Sequence, residues 1–148
     1  TEVLLLNINA VIQPAGFMLP VSLQLYELLM AEAGEIPAHK HRITAVTFNF
    51  RDPDYSVERG GYHPVEIRLI HQGGEWCLDY ATDFGYVGTV YPELEKIIDI
   101  SWSQGYVWHY CTGDLPLTEV RALYSLWERN FLSYYASGVY TTRVLWES

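Results

Sequence analysis

Lysine is almost missing from this chain. Of 9 basic residues only Lys40 and Lys96 are lysines, and they face 18 acidic residues, for a formal net charge of −9 at pH 7. Such a chain repels phosphate backbones and anionic bilayers, so neither a nucleic acid nor a membrane is expected as a partner. Cysteine is nearly as scarce. Cys77 and Cys111 are the only two, far apart and in no CxxC pair, so there is no disulfide framework. A single bridge stays open if their strands are neighbours. Otherwise both are reduced, buried thiols of a cytosolic protein. No apolar run reaches transmembrane length, and no basic, apolar leader precedes a small-residue cleavage site. GxGxxG, P-loop, GxSxG and HExxH motifs are all absent. No motif fixes a reaction, therefore, and no cofactor is expected.

What the chain has in surplus is aromatic residues, 15% of the total, with 12 Tyr and 5 Trp. Combined with a hydrophobic fraction of 49%, this is too apolar for a disordered chain. A length of 148 residues fits one domain, residues 1–148, with a core that needs no disulfides. Each Tyr and Trp brings a polar atom that wants a partner. The surplus therefore marks either a core of satisfied hydroxyls, the preferred reading, or an exposed aromatic surface.

Periodicity supplies the elements. Residues 3–12 read as an apolar strand or extended arm, broken by Pro14 and Gly16. Val21, Leu25, Leu28 and Leu29 repeat at helical spacing, which predicts a helix over 20–33 stopped by Gly34. Residues 44–50 and 65–69 alternate as half-buried strands, with Val46, Phe48 and Phe50, then Val65, Ile67 and Leu69, on one face. Gly73-Gly74 is a hairpin signal. After it Trp76, Leu78, Tyr80 and Thr82 alternate with Cys77, Asp79, Ala81 and Asp83. Residues 84–105 are irregular, with a short helix expected over 92–98. Residues 106–111 read as another strand. A second helix is expected from an N-cap at Thr118 to Ala136, ended by Gly138, and a last strand over 139–146.

Chemistry concentrates in the loop over 51–63. Arg51 and Arg59 offer forked donors suited to a carboxylate or phosphate, and Gly60-Gly61 can expose backbone amides. The structural alternative is that both arginines pair with Asp52, Asp54 or Glu58 and brace the connection. The acids lack the spacing of a calcium loop, and the His39-Lys40-His41 segment lacks further ligands, so no metal site is expected. Cys77 and Cys111 lie in apolar strand patterns, which favours inert thiols over a nucleophile served by His109. Asp79 and Asp83 are expected to share an outward, solvated acidic face. Tyr80, Phe84, Tyr86, Tyr91, Trp102, Tyr106, Trp108 and Tyr110 crowd one region, read as core before groove.

Four segments together resemble a known family: residues 49–56 (Asn-Phe-Arg-Asp-Pro-Asp-Tyr-Ser), 60–69, 80–88 and 123–131 (Leu-Tyr-Ser-Leu-Trp-Glu-Arg-Asn-Phe). The chain from about residue 17 to 146 is similar to a bacterial domain-of-unknown-function family associated with marine gamma-proteobacteria and mobile genetic elements. That resemblance implies a bacterial, cytoplasmic setting. It brings no activity, cofactor or catalytic residue.

The expectation is an α+β domain, with a single antiparallel sheet of about five strands and two helices packed on one face, in a cystatin-like arrangement. The expected function is a non-catalytic ligand- or protein-binding module. Arg51, Arg59 and His63 serve as polar contacts and Tyr55 and Tyr62 as walls, for a small anionic ligand or a peptide. The rivals are a small enzyme using Glu66, Asp79 or His63 for acid–base chemistry, and a homodimeric adaptor that pairs through an aromatic sheet face.

Overall fold

In the computed structural model, residues 4–12, 16–38 and 42–148 are described. The His39-Lys40-His41 segment and Pro14 lie outside them. The chain opens with a small antiparallel ribbon, β1 (Val11–Ile12) and β2 (Phe17–Met18), before α1 (Leu23–Ala33). A run of strands follows: β3 (Ala45–Arg51), β4 (Val65–Gln72), β5 (Glu75–Val87), β6 (Glu93–Ser101), β7 (Tyr106–His109) and β8 (Gly113–Asp114). Then come α2 (Leu117–Ala136) and β9 (Thr141–Glu147). The main sheet has seven strands in the order β8-β7-β6-β5-β4-β3-β9, every pair antiparallel.

The expectation of a single, cystatin-like sheet of about five strands is therefore overturned: the main sheet has seven, and the β1–β2 ribbon is separate. The decisive error is at residues 93–101. Glu-Leu-Glu-Lys is a helix-favouring run, and a short helix was the natural reading of 92–98. In the fold this segment is β6, paired along β5 from Val87↔Glu93 to Tyr80↔Ser101. A ladder on a 13-residue partner strand outweighs local propensity. The second helix also starts differently, with Pro116 rather than Thr118 at the cap.

One face of the sheet carries the core. Phe48, Phe50, Val65, Ile67, Leu69, Leu78 and Ala81 pack in one cluster with Leu25 and Leu29 of α1 and Val120, Trp127 and Phe131 of α2. Leu4 and Leu6 join it from the N-terminal arm, where Leu6 bridges Trp76 in parallel and the Asn7 amide donates to the Trp76 carbonyl at 2.9 Å. The helices are tied by Glu128, buried on α2. It accepts from the Ser22 amide at 3.1 Å and the Tyr124 hydroxyl at 2.6 Å. Burial, and then Glu128 itself, push the Tyr124 hydroxyl's pKa well above its usual value.

The expected alternation of β5 fails at its middle. The β4–β5 register shifts between Arg68 and Leu69, pairing Arg68 with Tyr80 and Leu69 with Leu78 and leaving Asp79 as the extra residue of a bulge. Past the bulge every side chain changes face. Ala81 and Asp83 turn to the helix side, while Tyr80 and Thr82 turn away. Asp79 and Asp83 thus do not share a solvated face. Both cysteines are free thiols, and Cys111 is exposed because β7 ends at His109 and the chain turns there. Among the described residues no helix is long and apolar enough to cross a membrane.

Candidate functional site

The loop after β3 folds back on itself as a braced miniature hairpin. Asp52 holds it: Oδ1 accepts from the Asp54 amide at 2.9 Å and Oδ2 from the Tyr62 amide at 3.0 Å. Ser56 and Gly60 exchange backbone hydrogen bonds at 3.2 and 2.9 Å, and the Ser56 hydroxyl accepts from the Arg59 amide at 3.0 Å. Gly61 sits at φ +125°, where a Cβ would lie 2.8 Å from Asp52 Oδ2, so only glycine lets the carboxylate reach across. Bracing comes from a carboxylate on amides, not from the arginines. The guanidinium groups of Arg51 and Arg59 are exposed and bond to no described residue.

The last residues of the loop deliver His63 to α2. Its Nδ1 donates to Asp83 Oδ1 at 2.7 Å, and Trp127 Nε1 of α2 donates to Asp83 Oδ2 at 3.2 Å. Asp83 can do this only because the bulge has turned it inward. Gly85 makes room: a Cβ there would stand 2.9 Å from Ile97 Cγ1 and 3.1 Å from His63 Cε1. The hydrogen bond to Asp83 raises the imidazole pKa above its ordinary 6.5, against a smaller lowering by burial. Nε2 of His63 has no hydrogen-bond partner among the described residues.

Beside this pair lies a cleft of about 350 Å³ between α2 and the sheet. Leu123, Trp127, Phe131 and Tyr134 recur at helical spacing and form one wall. Val65, Asp83, Ile97 and Ile98 form the floor, and Tyr62 and His63 the rim. Tyr140, just before β9, closes one end with its ring 5.6 Å from Phe131. Burial, followed by the charge of Asp83, pushes the Tyr140 hydroxyl's pKa up.

Of the loop residues singled out from sequence, Tyr62 and His63 line the cleft. Tyr62 packs on Tyr134 of α2 at 4.6 Å. Tyr55 stands behind the rim, 5.6 Å from the His63 ring and stacked on Tyr86 at 5.2 Å, and its hydroxyl accepts from the Tyr86 amide at 3.1 Å. Arg51 and Arg59 are not brought to the cleft. Nor are Glu66 and Asp79. Tyr80 donates to Glu66, and Asp79 takes Arg68 Nη1 at 2.6 Å, on the other face of the sheet. The His109 ring accepts from the Cys111 amide at 3.0 Å and caps a turn. Of the aromatic run, Trp102 is buried, while Tyr86, Tyr91 and Tyr110 are exposed. Sequence reasoning missed Asp83, Trp127, Asn130 and Tyr140. The helical stripe that holds Trp127 and Phe131 was visible, but it reads equally well as core.

Three comparisons bear on this arrangement. Residues 23–145 match the family described as Protein of unknown function (DUF2787). Among solved structures the chain is similar to a hypothetical protein from the VSP-II pathogenicity island of Vibrio cholerae, at 38% identity and a TM-score of 0.75, over 85% of this chain and 94% of that one. It is also similar to a conserved hypothetical protein from the VPI-2 pathogenicity island of Vibrio cholerae O1 biovar eltor, at 33% identity and a TM-score of 0.73, over 95% and 100%. That second protein is described as sharing structural homology with the human p32 protein. No curated protein matches significantly. The bacterial unknown-function family that the sequence resembled is thus the right one, and the chain belongs to the DUF2787 family of proteins of unknown function.

Proposed function

We propose that the chain is a non-catalytic binding module whose site is the cleft between residues 61–63 and α2. One observation carries this reading. A histidine is fixed by a carboxylate at the edge of an aromatic cleft, and its second ring nitrogen is bonded to no described residue. Small-ligand sites are mostly apolar concavities with a few convergent polar groups, and about 350 Å³ is at the lower end of their range. Tyr62 and His63 contact the ligand in this proposal. Tyr55 positions His63 from behind, and Arg51 and Arg59 remain at the periphery.

The same His63–Asp83 pair favours a second reading, acid–base catalysis, because a carboxylate on Nδ1 orients Nε2 for proton transfer. Against it, the lining contains no serine, threonine or cysteine for such a base to activate. Binding is the simpler account.

The test is a thermal-shift screen over metabolites and peptides on the wild type and on Leu126→Arg, which places a long cation at the mouth of the cleft. A ligand that raises the melting temperature of the wild type and not of the variant supports the site. Equal shifts in both would move the site elsewhere, and product formed from any stabilising compound would favour the enzyme.

A further inference from the structure

The cleft has polar groups that no described residue uses. No side-chain nitrogen or oxygen buried from solvent lacks a partner among the described residues. Around this one concavity, however, the hydroxyls of Tyr62, Tyr134 and Tyr140, the Asn130 amide and His63 Nε2 make no hydrogen bond to a described residue. In the free protein they are wet. A purely apolar ligand would strip that water and return nothing, at about 1–3 kcal/mol per stranded group. The ligand must therefore carry hydrogen-bonding groups. Phenol hydroxyls and a carboxamide both donate and accept, so they are best met by groups that also do both.

Charge narrows the class further. Among the described residues no lysine or arginine lines the cleft. Its one basic side chain among the described residues, His63, is already engaged by Asp83 at 2.7 Å. The charges of Asp83 and Asp52 both reach Tyr140 and oppose its ionisation. An anion entering here would give up hydration without gaining a counter-charge, inside a chain of net charge −9. A cation fares no better. Each oxygen of Asp83 and Asp52 already accepts a hydrogen bond from the protein, which an entering cation would have to compete with. What remains is neutral. The walls of Leu123, Trp127 and Phe131 require that the ligand also present an apolar face.

We infer that the cleft takes a neutral, hydroxyl-bearing ring with one apolar face, the chemistry of a single uncharged sugar ring, and discriminates against carboxylates and phosphates. This rests on the reading of the cleft as a ligand site. It departs from the anionic ligand that Arg51 and Arg59 suggested, because neither guanidinium reaches the lining.

The experiment uses the full chain, labelled with nitrogen-15, titrated with neutral methyl hexosides, the matching hexuronate and hexose phosphate, and benzoate and indole as aromatic controls. The readout is the indole N–H signal of Trp127, assigned by Trp127→Phe, together with affinity by calorimetry. At least one neutral hexoside is expected to move that signal and to bind at least about tenfold more tightly than its uronate or phosphate. Tyr140→Phe, which removes one hydroxyl and keeps the ring, is expected to weaken it about fivefold to tenfold, the loss of one hydrogen bond. Tighter binding of the uronate, the phosphate or benzoate at the same signal would overturn the neutral class and leave the site standing. Indole binding there unaffected by Tyr140→Phe, with no hexoside bound, would overturn the hydroxyl requirement. A Trp127 signal unmoved by every compound would overturn both this inference and the site it rests on.

Discussion

Under α2, Asp83 divides its two oxygens between His63 and Trp127, and Nε2 of the histidine is left over. On the opposite face of the same sheet Asp99 takes Thr82 on one oxygen at 2.7 Å, and Tyr106 at 2.6 Å and Lys96 at 3.5 Å on the other. That second network is closed. Asp99 is 5% exposed and Thr82 2% exposed although no helix covers them. Tyr80, Phe84, Tyr106 and Trp108 stand around them instead and leave two hollows of about 250 and 380 Å³. The register explains the order. Glu66, Thr82, Asp99, Trp108 and Asp114 lie directly opposite one another on successive strands, in one row across five strands. Burial, and then the bond to Asp99, push the Tyr106 hydroxyl up to about 12. One face uses its polar groups to hold strands together. The other holds a polar group ready beside apolar walls, and that is the difference between a brace and a site.

The sharpest way to break the covered face is Phe131→Ala. This ring is 2% exposed and lies 5.0 Å from Phe50 and 5.4 Å from Trp127, stacked on the latter. Removing it should destabilise the protein by about 3–5 kcal/mol in urea unfolding. A loss below about 1 kcal/mol would mean the wall is loosely packed and the cleft ill defined.

Asp99→Ala should come next, at about 2–3 kcal/mol, because it strands the buried Thr82 hydroxyl and takes away the partner of the half-buried Tyr106 hydroxyl. Combined with Tyr106→Phe the loss should be less than additive, since both changes remove one shared bond. A ligand of the cleft should bind this variant as it binds the wild type. Weaker binding by Asp99→Ala at full folding would show that the two faces are coupled and would blur the contrast between them.

Arg68→Met tests the same face at lower stakes. Arg68 grips Glu147 of β9 with Nε at 3.0 Å and Nη2 at 3.3 Å, and Asp79 with Nη1, so it staples the bulge across β3 to the edge strand. Both partners raise its pKa, Glu147 most. Glu147 is half exposed, so the staple should contribute only about 1 kcal/mol, and less at high salt.

How much of this could be read from the chain follows from these residues. The alternation of Val46, Phe48 and Phe50, the helical repeat of Leu25, Leu28 and Leu29, and the stop at Gly34 are local signals, and each stands where it was expected. Glu93–Lys96 carries a local signal for the wrong element, and only its partner strand corrects it. The bulge at Asp79 leaves no mark in a two-residue period, so everything beyond it, Asp83 included, was assigned to the wrong face. The site fails to show for a further reason. Tyr62, Asp83, Ile97, Trp127 and Tyr140 come from five separate stretches, and no spacing along the chain connects them. The loop drew attention through its arginines, whereas its three final residues reach the cleft.

The smallest expected effect bears most directly on the comparison, because the open network contains an imidazole, whose pKa Asp83 raises, and the closed one is built without a histidine. Asp83 raises the folded pKa of His63 above 6.5, chiefly through the hydrogen bond. A raised folded pKa means that protonation favours the folded state. The contribution is complete below about pH 6.5 and disappears as pH climbs through the folded value. The imidazole is 42% exposed, so solvent screening keeps the effect modest. Melting temperatures followed from about pH 5.5 to 8.5 should fall more for the wild type than for His63→Gln, whose amide does not titrate, and the two curves should run parallel above that window. Asp99→Asn should leave the same pH slope intact in this range. Parallel curves for wild type and His63→Gln throughout would mean that the imidazole gains nothing from Asp83, and the ready ring nitrogen on the covered face would belong to no more than a solvated side chain.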